Sequence, residues 1–304
     1  MNDEDQTNNN TSPTPKASIP NREQPFERLI KLRQHKERLV TDGIQGYELL
    51  EAMATLTIDH KISTLRRIRC HRCWHAHRYC LCSQLKVLDQ LELPRNDRIF
   101  NIKFCLLMHH KEYLSAGNSA KLLLQLLPNH TELYLFGKVG EVDRLFQEAV
   151  ADRQDRESTM ILWPSSAAIS VGEFLDRTDE KKRSATSEPT LRVIVLDGTY
   201  TQARNMYSSL RKRWGDLPAA VALNPTSASV FHRAQKNYGE AHQQQKQIAS
   251  DKEHVQRVST AEACAYLLSE LGAPLTVHEQ IVQAVVANNE ALAFAQQLGV
   301  GRDI

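Results

Sequence analysis

The chain has 304 residues, 41% of them hydrophobic, enough for one large domain or two smaller ones with a sizeable core. Its 38 Lys and Arg nearly cancel 36 Asp and Glu, so net charge alone names no partner. No apolar run is long enough to cross a membrane as a helix.

Residues 1–25 lack both a basic n-region and an apolar h-region. They are expected to form a disordered tail rather than a secretory signal. The six cysteines are then expected in a reducing, cytoplasmic setting, where a metal or catalytic role outweighs disulfides. Residues 26–56 show helical periodicity through Phe26, Leu29, Ile30, Leu39, Leu49 and Leu50. Cys70, Cys73, Cys80 and Cys82 follow, and after them apolar runs alternate with helical patterns.

The alternation predicts strands over 99–108, 132–137, 159–164, 191–197 and 219–223. Helices are expected over 118–127, 141–153 and 199–214. Such a chain folds as an α/β domain with a mostly parallel sheet. Residues 176–190 read as a polar loop, and 233–257 as an exposed insertion rich in Gln, Lys and His. Capping-box patterns at Ser259–Glu262 and Thr276–Glu279 open two late helices. The expected organisation is a tail (1–25), a helical and Cys-rich metal-binding lobe (26–98) and an α/β domain (99–304).

The cysteines are spaced C-x2-C-x6-C-x-C. Four thiolates can close a tetrahedral zinc shell with no position left for water, which makes the site structural. An iron–sulfur cluster also accepts four thiolates, and His71, His75 or His77 could replace one cysteine. Cys105 and Cys264 fall in a predicted strand and a predicted helix and read as core residues. From His60 to Leu88 there is no Asp or Glu, and the same stretch holds Lys61, Arg66, Arg67, Arg69, Arg72, Arg78 and Lys86. That charge suits a polyanion, against the plainer reading of a solvated face.

VIVLDGTYTQARNM (193–206) sets Asp197 at the carboxyl end of a buried strand, Gly198 in a tight turn and Thr199 at a helix start. Ligands of open α/β sheets gather at such strand ends. In this stretch the sequence resembles the DTW-domain family, whose name motif reads Asp, any residue, Thr, Trp. The C-x2-C-x6-C-x-C cluster, HHKEYLSAGNSAKLL (109–123), LWP (162–164), DGTYTQARNM (197–206) and VSTAEACAYLL (258–268) carry the resemblance in the family's order. Tyr200 stands where the family usually has Trp, and Ser115 where many members have Arg.

The resemblance implies a SPOUT-like α/β fold, a class whose carboxy-terminal part forms a knot around S-adenosyl-L-methionine. It implies transfer of the 3-amino-3-carboxypropyl group of that co-substrate to N3 of a uridine in tRNA. Asp197 is the expected base, or else orients the co-substrate's ammonium. His109, Glu112, Asn118, Thr199, Tyr200, Arg204, Ser259, Thr260 and Glu262 are the expected pocket residues, although Glu262 also suits a capping box. Arg69, Arg72, Trp74 and Arg78 are expected to meet tRNA on a lobe folded by zinc at the four cysteines. No obligate protein partner is expected. Alternative readings are a ribosomal RNA substrate, a methyltransferase using the same co-substrate, or an inactive zinc-containing RNA-binding protein.

Overall fold

The structure is a computed structural model that describes residues 25–88, 91, 93–95, 98–151, 156–181, 190–223 and 258–298. The tail and the 233–257 insertion lie outside the described residues, apart from Pro25. The chain divides into two compact units, Met1–Leu49 and Leu50–Ile304. The first holds helix α1 (Pro25–Thr41) and the start of α2 (Gly46–Leu65). The second holds the Cys-rich segment together with the sheet.

In chain order the second unit continues with β1 (Leu93–Arg95), β2 (Arg98–His109), the one-turn α3 (Leu123–Leu126), β3 (Thr131–Phe136) and α4 (Glu141–Ala149). Then come β4 (Thr159–Leu162), α5 (Val171–Lys181), β5 (Thr190–Asp197), α6 (Tyr200–Trp214), β6 (Ala219–Val221), α7 (Thr260–Glu270) and α8 (Leu275–Gln297). Among the described residues, five strands pair in parallel in the order β3-β2-β5-β4-β6. β1 adds an antiparallel pairing at the start of β2, with Leu93 opposite Phe100.

The strands are apolar on both faces, as a sheet covered on both sides requires. Ile102, Phe104, Leu106 and Met108 of β2 join Leu191, Val193 and Val195 of β5 in one core, packed with residues of α3, α5, α7 and α8. The alternate residues Cys105, Leu107 and Ile194 are buried toward the opposite face. There α4 packs on β3 and α6 on β5 and β2. Helices on both faces of a parallel sheet give the expected α/β class. The link from β6 to α7, which would form any knot, lies mostly outside the described residues.

Several elements differ from the sequence expectation. The helix expected over 118–127 contracts to a 3-10 turn at Ala120–Leu122 and the single turn of α3. Leu127 leaves helical geometry at φ −128°, as the residue before Pro128 is biased to do. The polar stretch from 176 begins inside α5, whose Phe174, Leu175 and Thr178 are buried. Its charges sit on the outer face, where Arg177 Nη2 donates to Glu173 Oε1 at 2.5 Å. The second expected capping box does not form. α8 begins at Leu275 behind an N-cap Pro274, which leaves Thr276 inside the helix.

Candidate active site and metal centre

β2 and β5 are adjacent and parallel, with Met108 opposite Asp197. After β2 the chain passes to the face that carries α3, and after β5 to the face that carries α6. Such a divergence opens a crevice at the carboxyl ends of the strands. Asp197 ends β5 at that crevice and is only 2% exposed.

Three segments converge on its carboxylate. Asn118 Nδ2, from the loop after β2, donates to Oδ2 at 2.5 Å. Thr260 Oγ1, from the first turn of α7, donates to Oδ1 at 2.7 Å. Asn118 is itself oriented, because its Oδ1 accepts the backbone N–H of Lys121 at 3.0 Å. Ser119 Oγ accepts the N–H of Ala261 at 3.4 Å and ties the same loop to α7. A buried carboxylate is tolerable only with such donors, and here the donors also fix its plane.

Both helix starts beside Asp197 form capping boxes: the one expected at Ser259, and at Thr199, where an N-cap was expected, one completed by Gln202. Thr199 Oγ1 accepts from Gln202 N at 3.3 Å, and Thr199 N donates to Gln202 Oε1 at 2.6 Å. Ser259 Oγ accepts from Glu262 N at 3.3 Å, and Ser259 N donates to Glu262 Oε2 at 2.9 Å. Glu262 is therefore a buried capping residue, the role that its place in the Ser259–Glu262 pattern also suits. Gly198 is needed between these groups. A Cβ there would lie 3.0 Å from Gln202 Cβ and 3.5 Å from His109 Cβ.

His109 is half-buried and stacks on His110, with ring centroids 4.3 Å apart. Burial first, then His110, Lys111 and Lys61, lowers its pKa to about 4, so it is neutral near pH 7. Its Nδ1 accepts the N–H of Lys111 at 3.2 Å, which leaves the proton on Nε2. Glu112 follows in the same turn, half-buried, with its N–H on the carbonyl of His109.

Tyr200, on the first turn of α6, is 51% exposed. Its ring stacks on Trp163 at 5.9 Å and 16°, and Trp163 stacks in turn on Tyr207 at 5.3 Å and 18°. Exposed Arg204 lies over Tyr200 with Cζ 4.8 Å from the ring centroid. Sequence reading found Tyr200 and Arg204 but missed the stacking role of Trp163 and Tyr207. The (i, i+7) spacing of Tyr200 and Tyr207 on α6, together with the quoted LWP, was the available signal.

Cys70, Cys73, Cys80 and Cys82 bring their sulfurs within 4.8 Å of one another. Cys70 and Cys82 Sγ are 3.6 Å apart, and Cys73 and Cys80 Sγ 3.7 Å. A tetrahedral ion with Zn–S bonds of about 2.3 Å needs sulfurs roughly 3.8 Å apart, so the set fits. Leu81 N–H points at Cys73 Sγ at 3.5 Å, a donor suited to a thiolate. The knuckle closes through Trp74 N on Cys70 O at 2.9 Å and Cys70 N on His75 O at 2.8 Å.

That closure puts Trp74 in the left-handed region at φ +59°. The strain is of order 1–2 kcal/mol. Burial of the indole, 4% exposed and edge-on to Tyr113, offsets it. Trp74, expected to meet RNA, is thus placed inside, packed on Tyr113, rather than at the surface. Arg69 also turns inward, with Nη1 on the carbonyl of Leu114 at 2.8 Å. Arg66, Arg67, Arg72 and Arg78 remain exposed on this segment. Among the described residues the cluster consists of the four cysteines without His75, whose Nε2 lies 2.9 Å from Asn288 Oδ1.

Lys121 was not singled out from the sequence. It is wholly buried, and burial, with the charge of Arg69, lowers its pKa to about 7 against the opposing pull of the Cys73, Cys70 and Cys82 sulfurs. Its Nζ donates to the carbonyl of Ala116.

No helix among the described residues is long and apolar enough to cross a membrane. Comparison with curated proteins and with solved structures gives no match. The model of the DTW domain matches residues 67–292, from the Cys-rich knuckle through α8. The crevice at Asp197, the four cysteines and this match agree: the chain belongs to the DTW-domain family, which supports a transferase that modifies tRNA.

Proposed function

We propose that the protein transfers the 3-amino-3-carboxypropyl group of S-adenosyl-L-methionine to N3 of a uridine in tRNA. The observation that carries this reading is the buried Asp197 carboxylate, fixed by Asn118 and Thr260 at a strand-end crevice of a DTW domain. In the reaction N3 gives up its proton, its lone pair forms a bond to the carbon next to the sulfonium, and the C–S bond breaks as methylthioadenosine leaves.

The chain's residues divide the work. Asp197 accepts the N3 proton. Its fixed plane keeps the acceptor aligned without reorganisation. Neutral His109, with its proton on Nε2, donates to a carbonyl or carboxylate oxygen in the crevice. The exposed ring of Tyr200, backed by Trp163, offers a face for a nucleobase taken out of its stack. Arg204, Arg72 and Arg78 are exposed cations for tRNA phosphate. Cys70, Cys73, Cys80 and Cys82 would hold zinc, which supplies folding energy and no open coordination position.

The test is incubation of the full chain with unmodified tRNA and co-substrate labelled either in the methyl group or in the carboxypropyl carbons. Carboxypropyl label in a heavier uridine is expected. Methyl label in RNA, or no label from folded and metal-loaded protein, overturns the reading.

A further inference from the structure

Lys121 is fully buried, and among the described residues no carboxylate pairs with it. A buried ammonium needs an anion close by. Burial and the neighbouring Arg69 disfavour its charge, and the sulfurs of Cys73, Cys70 and Cys82 favour it. Four thiolates around a divalent ion carry a net charge of about −2. Lys121 and the inward-turned Arg69 supply two positive charges against it.

The same lysine faces the active site through its backbone. Its N–H donates to Asn118 Oδ1 at 3.0 Å, and Asn118 Nδ2 donates to Asp197 at 2.5 Å. Its ammonium and the Arg69 guanidinium also hold the carbonyls of Ala116 and Leu114, in the loop that carries Asn118. One turn further along, Gln125 Nε2 holds the carbonyl of Arg72 at 2.7 Å, and Cys82 Sγ lies 3.5 Å from Gln125 Oε1. The short segment Asn118–Gln125 thus touches the cysteine cluster at one end and the Asp197 carboxylate at the other.

We propose that Lys121 is a positioning residue that joins the two sites: its ammonium is the internal counter-ion of a metal–tetrathiolate centre, and its amide fixes the Asn118 side chain that holds Asp197. Metal binding then sets the order of the loop beside Asp197. The Cys-rich knuckle is a brace for the active site as well as a basic surface. This rests on the reading of Asp197 as the reacting carboxylate, but its test does not need the transfer reaction.

Zinc affinity of the full chain is measured by competition with a coloured chelator for wild type, Lys121→Met and Lys121→Arg. Loss of an outer partner of a metal site weakens binding by about 10- to 100-fold. Lys121→Met is expected to show that loss and Lys121→Arg to recover most of it. Equal zinc affinity in Lys121→Met and wild type overturns the counter-ion role. Because Lys121→Met risks misfolding, hydrogen exchange is also followed on the wild-type chain with and without zinc. Slower exchange over residues 118–122 on zinc addition is expected, and unchanged exchange there overturns the coupling. If zinc affinity and exchange behave as stated while no carboxypropyl transfer occurs, the function reading fails and the brace stands.

Discussion

Asn118 Nδ2 lies 2.5 Å from Asp197 Oδ2 and joins positions 79 residues apart in the chain. The contact fixes one of the two oxygens of a buried carboxylate, and Thr260 fixes the other. Removing one donor leaves a buried acceptor short of a partner. Asn118→Ala is therefore expected to cost about 1–3 kcal/mol of stability, read by denaturant unfolding. It is also expected to lower kcat more than it raises the KM of the co-substrate, because alignment rather than binding is lost. Unchanged kcat in a folded variant would separate Asn118 from the chemistry.

The stacked pair His109 and His110 makes stability depend on pH. Burial holds both pKa values at about 4, below the ordinary value of 6.5. Between those limits the unfolded chain binds more protons than the folded one, so stability rises with pH. The contribution is complete above about pH 6.5 and is lost as pH falls through about 4. Each such histidine adds a slope of up to about 1.4 kcal/mol per pH unit within that window. His110→Gln is expected to flatten the profile, measured by unfolding at successive pH values. A variant with the wild-type slope would remove His110 from this account.

Tyr200 and Arg204 touch each other but act on tRNA by different physics. Base stacking on an aromatic side chain contributes about 1–3 kcal/mol, so Tyr200→Ala should weaken tRNA binding by roughly 5- to 150-fold. Tyr200→Trp restores the aromatic face and should restore affinity. Arg204→Gln should instead lower the slope of log affinity against log salt by about 1, with a smaller loss at fixed salt. Binding titrations over a range of salt concentrations distinguish the two. Equal salt slopes for wild type and Arg204→Gln would show that Arg204 meets no phosphate.

The parts legible in the sequence are those carried by local pattern. LRVIVLD reads as a buried strand because apolar residues continue on both faces, and β5 spans it. The cysteine spacing reads as a cluster because a chelating knuckle is a local structure, and the four sulfurs do converge. Thr199 and Ser259 read as helix starts because an N-cap hydroxyl is a local signal, completed at Ser259 by Glu262 within four residues, and both cap helices. Tertiary choices were not legible. Trp74, set among arginines, resembled an exposed stacking residue until a left-handed turn buried it. Lys121 resembled an ordinary helix lysine, since nothing nearby in sequence marks its complete burial. The set Asn118, Asp197 and Thr260 depends on contacts across 79 and 63 residues, which no local periodicity encodes.

Cys73 gives the sharpest test of the metal centre. It is fully buried, and its sulfur sits 3.7 Å from Cys80 and accepts the N–H of Leu81. Serine at this position has a harder donor on a shorter bond, and a hydroxyl does not ionise as a thiol does. In small zinc folds the bound metal contributes about 10 kcal/mol or more to folding, so one lost ligand weakens the whole knuckle. Cys73→Ser is expected to abolish stoichiometric zinc, measured by elemental analysis, and to lower the Tm by several degrees. Cys264→Ala provides the contrast, because that thiol is fully buried in the main core, away from the cluster. It should keep its metal and lose only the stability of a small cavity, about 1 kcal/mol. Full zinc content in Cys73→Ser, or loss of zinc in Cys264→Ala, would break the assignment of the four ligands.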